Sequence, residues 1–124
     1  MTWIAVGVGG ALGSMGRHWV NTLISHWFEQ PVPWATFAVN LVGCLVIGAL
    51  AGQIATGRLT LSPVMRTFVF VGILGGFTTF SSFEYETYQA VRGGARAIGL
   101  CYVAGSVLAG YLAVWAGAVL AARR

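Results

Sequence analysis

The most restrictive feature of this chain is where its charges are absent. Residues 1–16, 30–57, 67–83 and 97–122 contain no Asp, Glu, Lys or Arg. A helix needs about 20 mostly apolar residues to cross a hydrocarbon core. With a few flanking positions, each of these runs is long enough. The runs are continuously apolar rather than alternating, which argues against a closed barrel, the other structure that can span lipid. Composition agrees, with 57% apolar and 8% charged residues, whereas a soluble domain needs about a quarter charged residues. The sequence therefore predicts an all-α integral membrane protein. It reads as one transmembrane domain, 1–124, with four helices at about 3–23, 34–56, 63–91 and 97–122. No basic segment precedes the first apolar stretch, which runs past the length of a signal peptide, so it reads as a retained span.

The expected loops are short, at 25–33, 57–62 and 92–96, leaving nothing for an extramembrane domain or a nucleotide site. Function must then reside in the helical bundle. The formal charge of +4 comes from seven arginines and no lysine. With no soluble basic face, this does not point to nucleic acid, and arginine at span ends reads as an orientation signal. Cys44 and Cys101 lie inside the second and fourth spans with no His or acid at ligand spacing, so they read as small apolar fillers. The glycines of 7–13 imitate a dinucleotide loop, but the third comes one residue late and no strand precedes it.

Two patterns bear on assembly. Four spans place Arg58, Arg66, Arg123 and Arg124 on one side and Arg17, Arg92 and Arg96 on the other. Such a balance barely selects an orientation, so opposite copies could insert and pair. Gly9 and Gly13, Gly48 and Gly52, Gly72 and Gly76, and Ser106 and Gly110 stand four apart. Small residues at that spacing let helix backbones approach closely in lipid. Packing within one subunit accounts for most of them, and the excess suits burial against a partner.

The third span carries the chemistry. Residues 75–83 read GGFTTFSSF, a glycine pair followed by hydroxyl side chains near mid-span. Each glycine costs a helix about 1 kcal/mol relative to alanine. Irregular backbone at that depth survives only inside protein or beside a cavity, and such breaks can hold ions. From the residues alone, two readings stand: an ion-holding break, or a packing kink capped by Thr and Ser. The polar groups at membrane depth are neutral: Asn40, residues 78–82 and Ser106. Phe80 and Phe83 are three apart and share a helix face, and an aromatic ring presents a positive edge. Donors and ring edges without lysine suit a small hydrated anion that must pass quickly.

These motifs resemble those of the CrcB/Fluc fluoride channels over all four spans. The resemblance rests on Gly9-Gly10-Ala11-Leu12-Gly13 through Arg17, on Asn40-Leu41-Val42-Gly43, and above all on the segment 75–83, with Tyr102 and Ser106 in the fourth span. It implies an antiparallel, dual-topology homodimer in a bacterial inner membrane, passing fluoride through two pores between subunits. Asn40, Phe80, Phe83, Tyr102 and Ser106 would line the pores, with Ser81 and Ser82 extending the polar track. The backbone carbonyls of Gly75 and Thr78 would hold a structural sodium ion on the dimer axis. Arg17 would draw anions to a vestibule, or serve as an ordinary interfacial anchor.

Glu84 and Glu86 follow the motif. Glu84 reads as reaching for the interface, and the role of Glu86 is open, although an acid is common there in the family. His18 and His26 read as interfacial. Two other functions compete. A small proton-coupled multidrug exporter would need a titratable acid deep in the bundle. A membrane scaffold would gain nothing from a broken polar helix. No nucleophile, base and orienting group converge, so an enzyme is not expected.

Overall fold

The computed structural model describes residues 1–27 and 33–123. Most of the loop expected at 25–33, and Arg124, lie outside the described residues. Every regular element among them is helical: α1 (Thr2–Ser25), α2 (Trp34–Ala55), α3 (Pro63–Arg66), a π-helical stretch (Thr67–Leu74), α4 (Gly75–Phe77), α5 (Phe80–Arg92) and α6 (Arg96–Arg123). Three continuous stretches are long and apolar enough to cross a membrane: Trp34–Ala55, Pro63–Arg92 and Arg96–Arg123. With 24 residues, α1 reaches about 36 Å at 1.5 Å per residue. Its length suffices, but Arg17, His18, Asn21 and its glycines dilute its apolar character.

Local chemistry sets the ends. Ser62 caps α3 by accepting from the Met65 N–H at 3.3 Å, with Pro63 in the first helical position, where its missing N–H costs nothing. Gly57 (φ 70°) and Gly94 (φ 89°) occupy left-handed backbone in the two turns, which glycine adopts without a Cβ penalty. At the far end Arg58 donates to the Ala121 carbonyl at 3.1 Å, satisfying one of the open carbonyls in the last turn of α6.

The bundle is built from two backbone-to-backbone crossings. In one, α2 lies along α6. A Cβ on Gly48 would collide with the Val114 backbone, one on Gly52 with Ala118, and one on Gly117 with Leu45. In the other, α1 lies along the third span: a Cβ on Gly9 would come within 2.6 Å of the Phe68 carbonyl, and one on Gly76 within 2.6 Å of the Gly10 carbonyl. The four-apart glycines thus work chiefly inside the chain. Little else is buried: the large apolar core among the described residues reduces to Val39, Leu74, Phe83 and Tyr102, with Thr36 beside them. Large side chains such as Trp3, Leu12, Trp19, Leu108, Tyr111 and Trp115 face outward, as expected when the solvent is lipid.

The third span departs from a simple helix twice. Residues 67–74 wind as a π-helix against α1, a turn common near functional sites and not foreseen from the sequence. Then Thr78 (φ −80°, ψ 157°) and Thr79 (φ −150°, ψ 122°) are extended, separating α4 from α5.

Candidate functional site

The break at Thr78–Thr79 organises the polar groups. Opening a helix frees carbonyls behind the opening and amides ahead of it, and in lipid each must find another partner. On the near side, the Thr78 N–H and hydroxyl both donate to the Leu74 carbonyl, each at 2.9 Å. The Ser14 hydroxyl approaches the Gly76 carbonyl at 3.4 Å. On the far side, the Thr79 hydroxyl oxygen caps α5 by accepting from the Ser82 N–H at 3.3 Å, and it donates to Ser82 Oγ at 3.1 Å. From α2, Asn40 binds Thr79 twice. The Thr79 N–H donates to Asn40 Oδ1 at 2.8 Å, and Asn40 Nδ2 donates to the Thr79 carbonyl at 3.0 Å.

The carbonyls of Gly75 and Thr78 are among those that lose their helical donors in this arrangement. The Thr79 N–H, which an unbroken helix would direct to Gly75, goes to Asn40, and the Ser82 N–H, which would reach Thr78, goes to the Thr79 hydroxyl. Gly75 is exposed and Thr78 half-buried. Both line an open groove of about 410 Å³ with Asn40, Gly43, Thr79 and Phe80.

Beyond the break, the two phenylalanines have different surroundings. Phe83 is 5% exposed and Phe80 is 73% exposed. Their rings lie 5.8 Å apart, and Phe83 meets the Tyr102 ring at 5.0 Å. Ser81 is exposed and Ser82 half-buried. The Tyr102 hydroxyl donates to Glu86 Oε2 at 3.2 Å, and the Thr36 hydroxyl donates to Glu86 Oε1 at 2.6 Å. Glu86 therefore faces inward between α2 and α6, whereas Glu84 is exposed.

A second groove, of about 440 Å³, runs along α2 and α6 and is lined by Trp34, Phe37, Cys101, Tyr102, Gly105 and Ser106. The Ser106 hydroxyl oxygen is buried without a hydrogen-bond partner. The anticipated residues therefore divide: Asn40, Gly75, Thr78 and Phe80 surround one groove, and Tyr102 and Ser106 the other, with Phe83 touching Phe80 and Tyr102. Arg17 is half-buried on α1 and lines neither. His18 and His26 are exposed. Cys101 is exposed and Cys44 half-buried, both as free thiols.

Sequence reasoning passed over Thr36 and Ser14. Thr36 left a trace: it lies four residues before Asn40 on a mostly apolar helix, and so on the same face.

Residues 4–118 match the family model described as CrcB-like protein, Camphor Resistance (CrcB). Relatives named fluoride-specific ion channel FluC include three that cover nearly all of this chain. The protein of Solibacter usitatus (strain Ellin6076) is 48% identical over 123 residues, covering 99% of this chain and all of the relative. That of Acidobacterium capsulatum is 39% identical, covering 99% of this chain and 98% of the relative. That of Azotobacter vinelandii is 44% identical, covering 94% of each.

Proposed function

The chain belongs to the CrcB-like family, and from that premise we propose that it works as a passive fluoride channel whose ion paths form between two antiparallel copies. It is a multi-pass membrane channel and not an enzyme, and fluoride is its ion. The finer reading has four crossings, α1 included, and an export that lowers cytoplasmic fluoride.

One observation carries the pairing. The break exposes its open side: Gly75, Phe80 and Ser81 all face outward beside carbonyls lacking helical donors. Hydrocarbon cannot satisfy such groups, at a cost of several kcal/mol each. A second copy laid against this face would remove it from lipid. The near-even arginine count supplies copies in both orientations.

Such pairing would close the two open grooves into paths lined by Phe80, Phe83, Ser81, Ser82, Tyr102 and Ser106. The unpartnered Ser106 hydroxyl offers a donor, and the outward Phe80 ring offers a positive edge. Neutral donors bind an anion without trapping it. The Gly75 and Thr78 carbonyls suit a sodium ion, since hard cations take oxygen ligands and two copies would bring four. When bound, the ion would supply positive charge beside the Gly75 and Thr78 carbonyls.

The test is fluoride efflux from liposomes holding only this protein, read with a fluoride electrode beside chloride and nitrate. Efflux driven by the fluoride gradient with charge balance alone is expected. Equal passage of chloride would falsify the selective channel. The inward Glu86 favours a proton-coupled exporter more than its sequence position did, and strict dependence on a pH gradient would select that reading instead.

A further inference from the structure

We infer that Asn40 is a positioning residue for conduction: it keeps the third span open by bracing the Thr79 backbone, and so holds the Gly75 carbonyl free of the helix. The inference rests on the channel reading above and adds a role distinct from lining the path.

The geometry is that of strand pairing with a side chain in place of the second strand. An extended residue projects its N–H and C=O to the same side, as in a hydrogen-bonded antiparallel pair. Thr79 is extended (φ −150°, ψ 122°), and the Asn40 amide meets both groups, at 2.8 and 3.0 Å. The two partners also settle the amide's orientation, because an N–H must face Oδ1 and a carbonyl must face the NH₂. A side chain tied at both ends is not free to follow an ion, and only one amide hydrogen remains unassigned.

The neighbouring residue on the same face of α2 completes the fit. Gly43, three positions along, lies against Thr78, where an added Cβ would collide with the Thr78 methyl. Asn40 provides the brace, and Gly43 the room for α2 to come close enough to use it.

The brace competes with the helix itself. Released from Asn40, the Thr79 N–H has one natural acceptor, the Gly75 carbonyl four residues back, and the helix would close over the break. That closure would withdraw the Gly75 carbonyl from the open face and shift the start of α5, which carries Phe80 and Phe83. Asn40 thus acts on the ion through Thr79.

The deciding experiment separates the hydrogen bond from the side chain. Replacing Thr79 by its α-hydroxy analogue turns the backbone N–H into an ester oxygen and leaves Asn40 in place. Fluoride efflux from liposomes is measured for this variant, for Asn40→Leu and for the two combined, with size-exclusion profiles beside them. Asn40→Leu should lose about tenfold in efflux, because the brace is gone and the freed Thr79 N–H closes on Gly75. The ester has no N–H to close on Gly75, so the combined variant should recover much of the efflux that Asn40→Leu loses. A combined variant no better than Asn40→Leu overturns the inference, as does normal efflux from Asn40→Leu itself, and where Asn40→Leu does not fold, Asn40→Ala, which removes the same brace, takes its place in both variants. Wild-type liposomes that pass no fluoride would instead sink the channel reading, a result visible before any variant is made.

Discussion

The crossing of α1 with the third span contains its own control. Gly10 and Gly76 face one contact, yet their hydrogens point differently. A Cβ on Gly76 would lie 2.6 Å from the Gly10 carbonyl oxygen and 3.0 Å from Gly10 Cα, while one on Gly10 would meet nothing within 4 Å. Carbon contacts are favourable near 3.5–4.0 Å, and the obstacle at Gly76 is backbone, which has no rotamer to change. Gly76→Ala must therefore push the helices apart, an overpacking cost of about 1–3 kcal/mol. Alanine's better helix propensity returns about 1 kcal/mol, so the net effect is a destabilisation of up to about 2 kcal/mol. Gly10→Ala keeps the propensity gain without the clash and should be neutral or stabilising by up to about 1 kcal/mol. Thermal loss of the size-exclusion peak in detergent reads both. Opposite signs are expected, with fluoride efflux reduced in Gly76→Ala because the displaced residue adjoins Gly75. Equal midpoints, or a worse Gly10→Ala, would refute the assignment of this crossing to backbone contact.

Further outcomes follow from the structure and the sequence together. Phe80→Ile should elute as wild type, since the swap roughly conserves volume, yet lose fluoride efflux by orders of magnitude because an aliphatic chain has no positive edge; near-normal efflux would return Phe80 to a packing role. Phe83→Ile, buried against Tyr102, should add a stability loss of about 1–1.5 kcal/mol to the same transport defect. A C-terminal tag should be reachable from both sides of the membrane, and arginines added to one end should lower activity by depleting one orientation; a tag found on one side only would end the single-gene dual-topology model.

What the sequence made legible follows from the range of each signal. Uncharged runs locate helices, because lipid enforces apolarity residue by residue. The glycine pair with its hydroxyls pointed to a break in the third span, but Gly75 and Gly76 stay helical and the extended residues are Thr78 and Thr79 just beyond them. The spacing of Gly9, Gly48 and Gly76 announced close crossings, though not with which helix. The π-helical stretch left no trace: after Thr67, residues 68–74 are apolar throughout, and nothing in such a run separates an i+4 ladder from an i+5 one. The Asn40 brace was equally hidden, because its partner is the backbone of Thr79, which every residue type shares.

Glu86 shows most clearly why residue type alone could not apportion roles. By position in the sequence, Tyr102 is a pore-lining candidate and Glu86 an acid of open role. In the folded chain they are one unit: the Tyr102 and Thr36 hydroxyls both direct their protons to Glu86. A hydroxyl has one proton to donate. While Glu86 holds it, Tyr102 presents an anion with lone pairs rather than a donor. A half-buried carboxylate in a membrane span needs such partners, so the acid and a passing ion would compete for the Tyr102 proton. The Ser106 hydroxyl has no protein partner and faces no such competition. Tyr102 would therefore serve an anion only once its hydroxyl turns away from Glu86, whereas the Ser106 hydroxyl has no protein acceptor to leave.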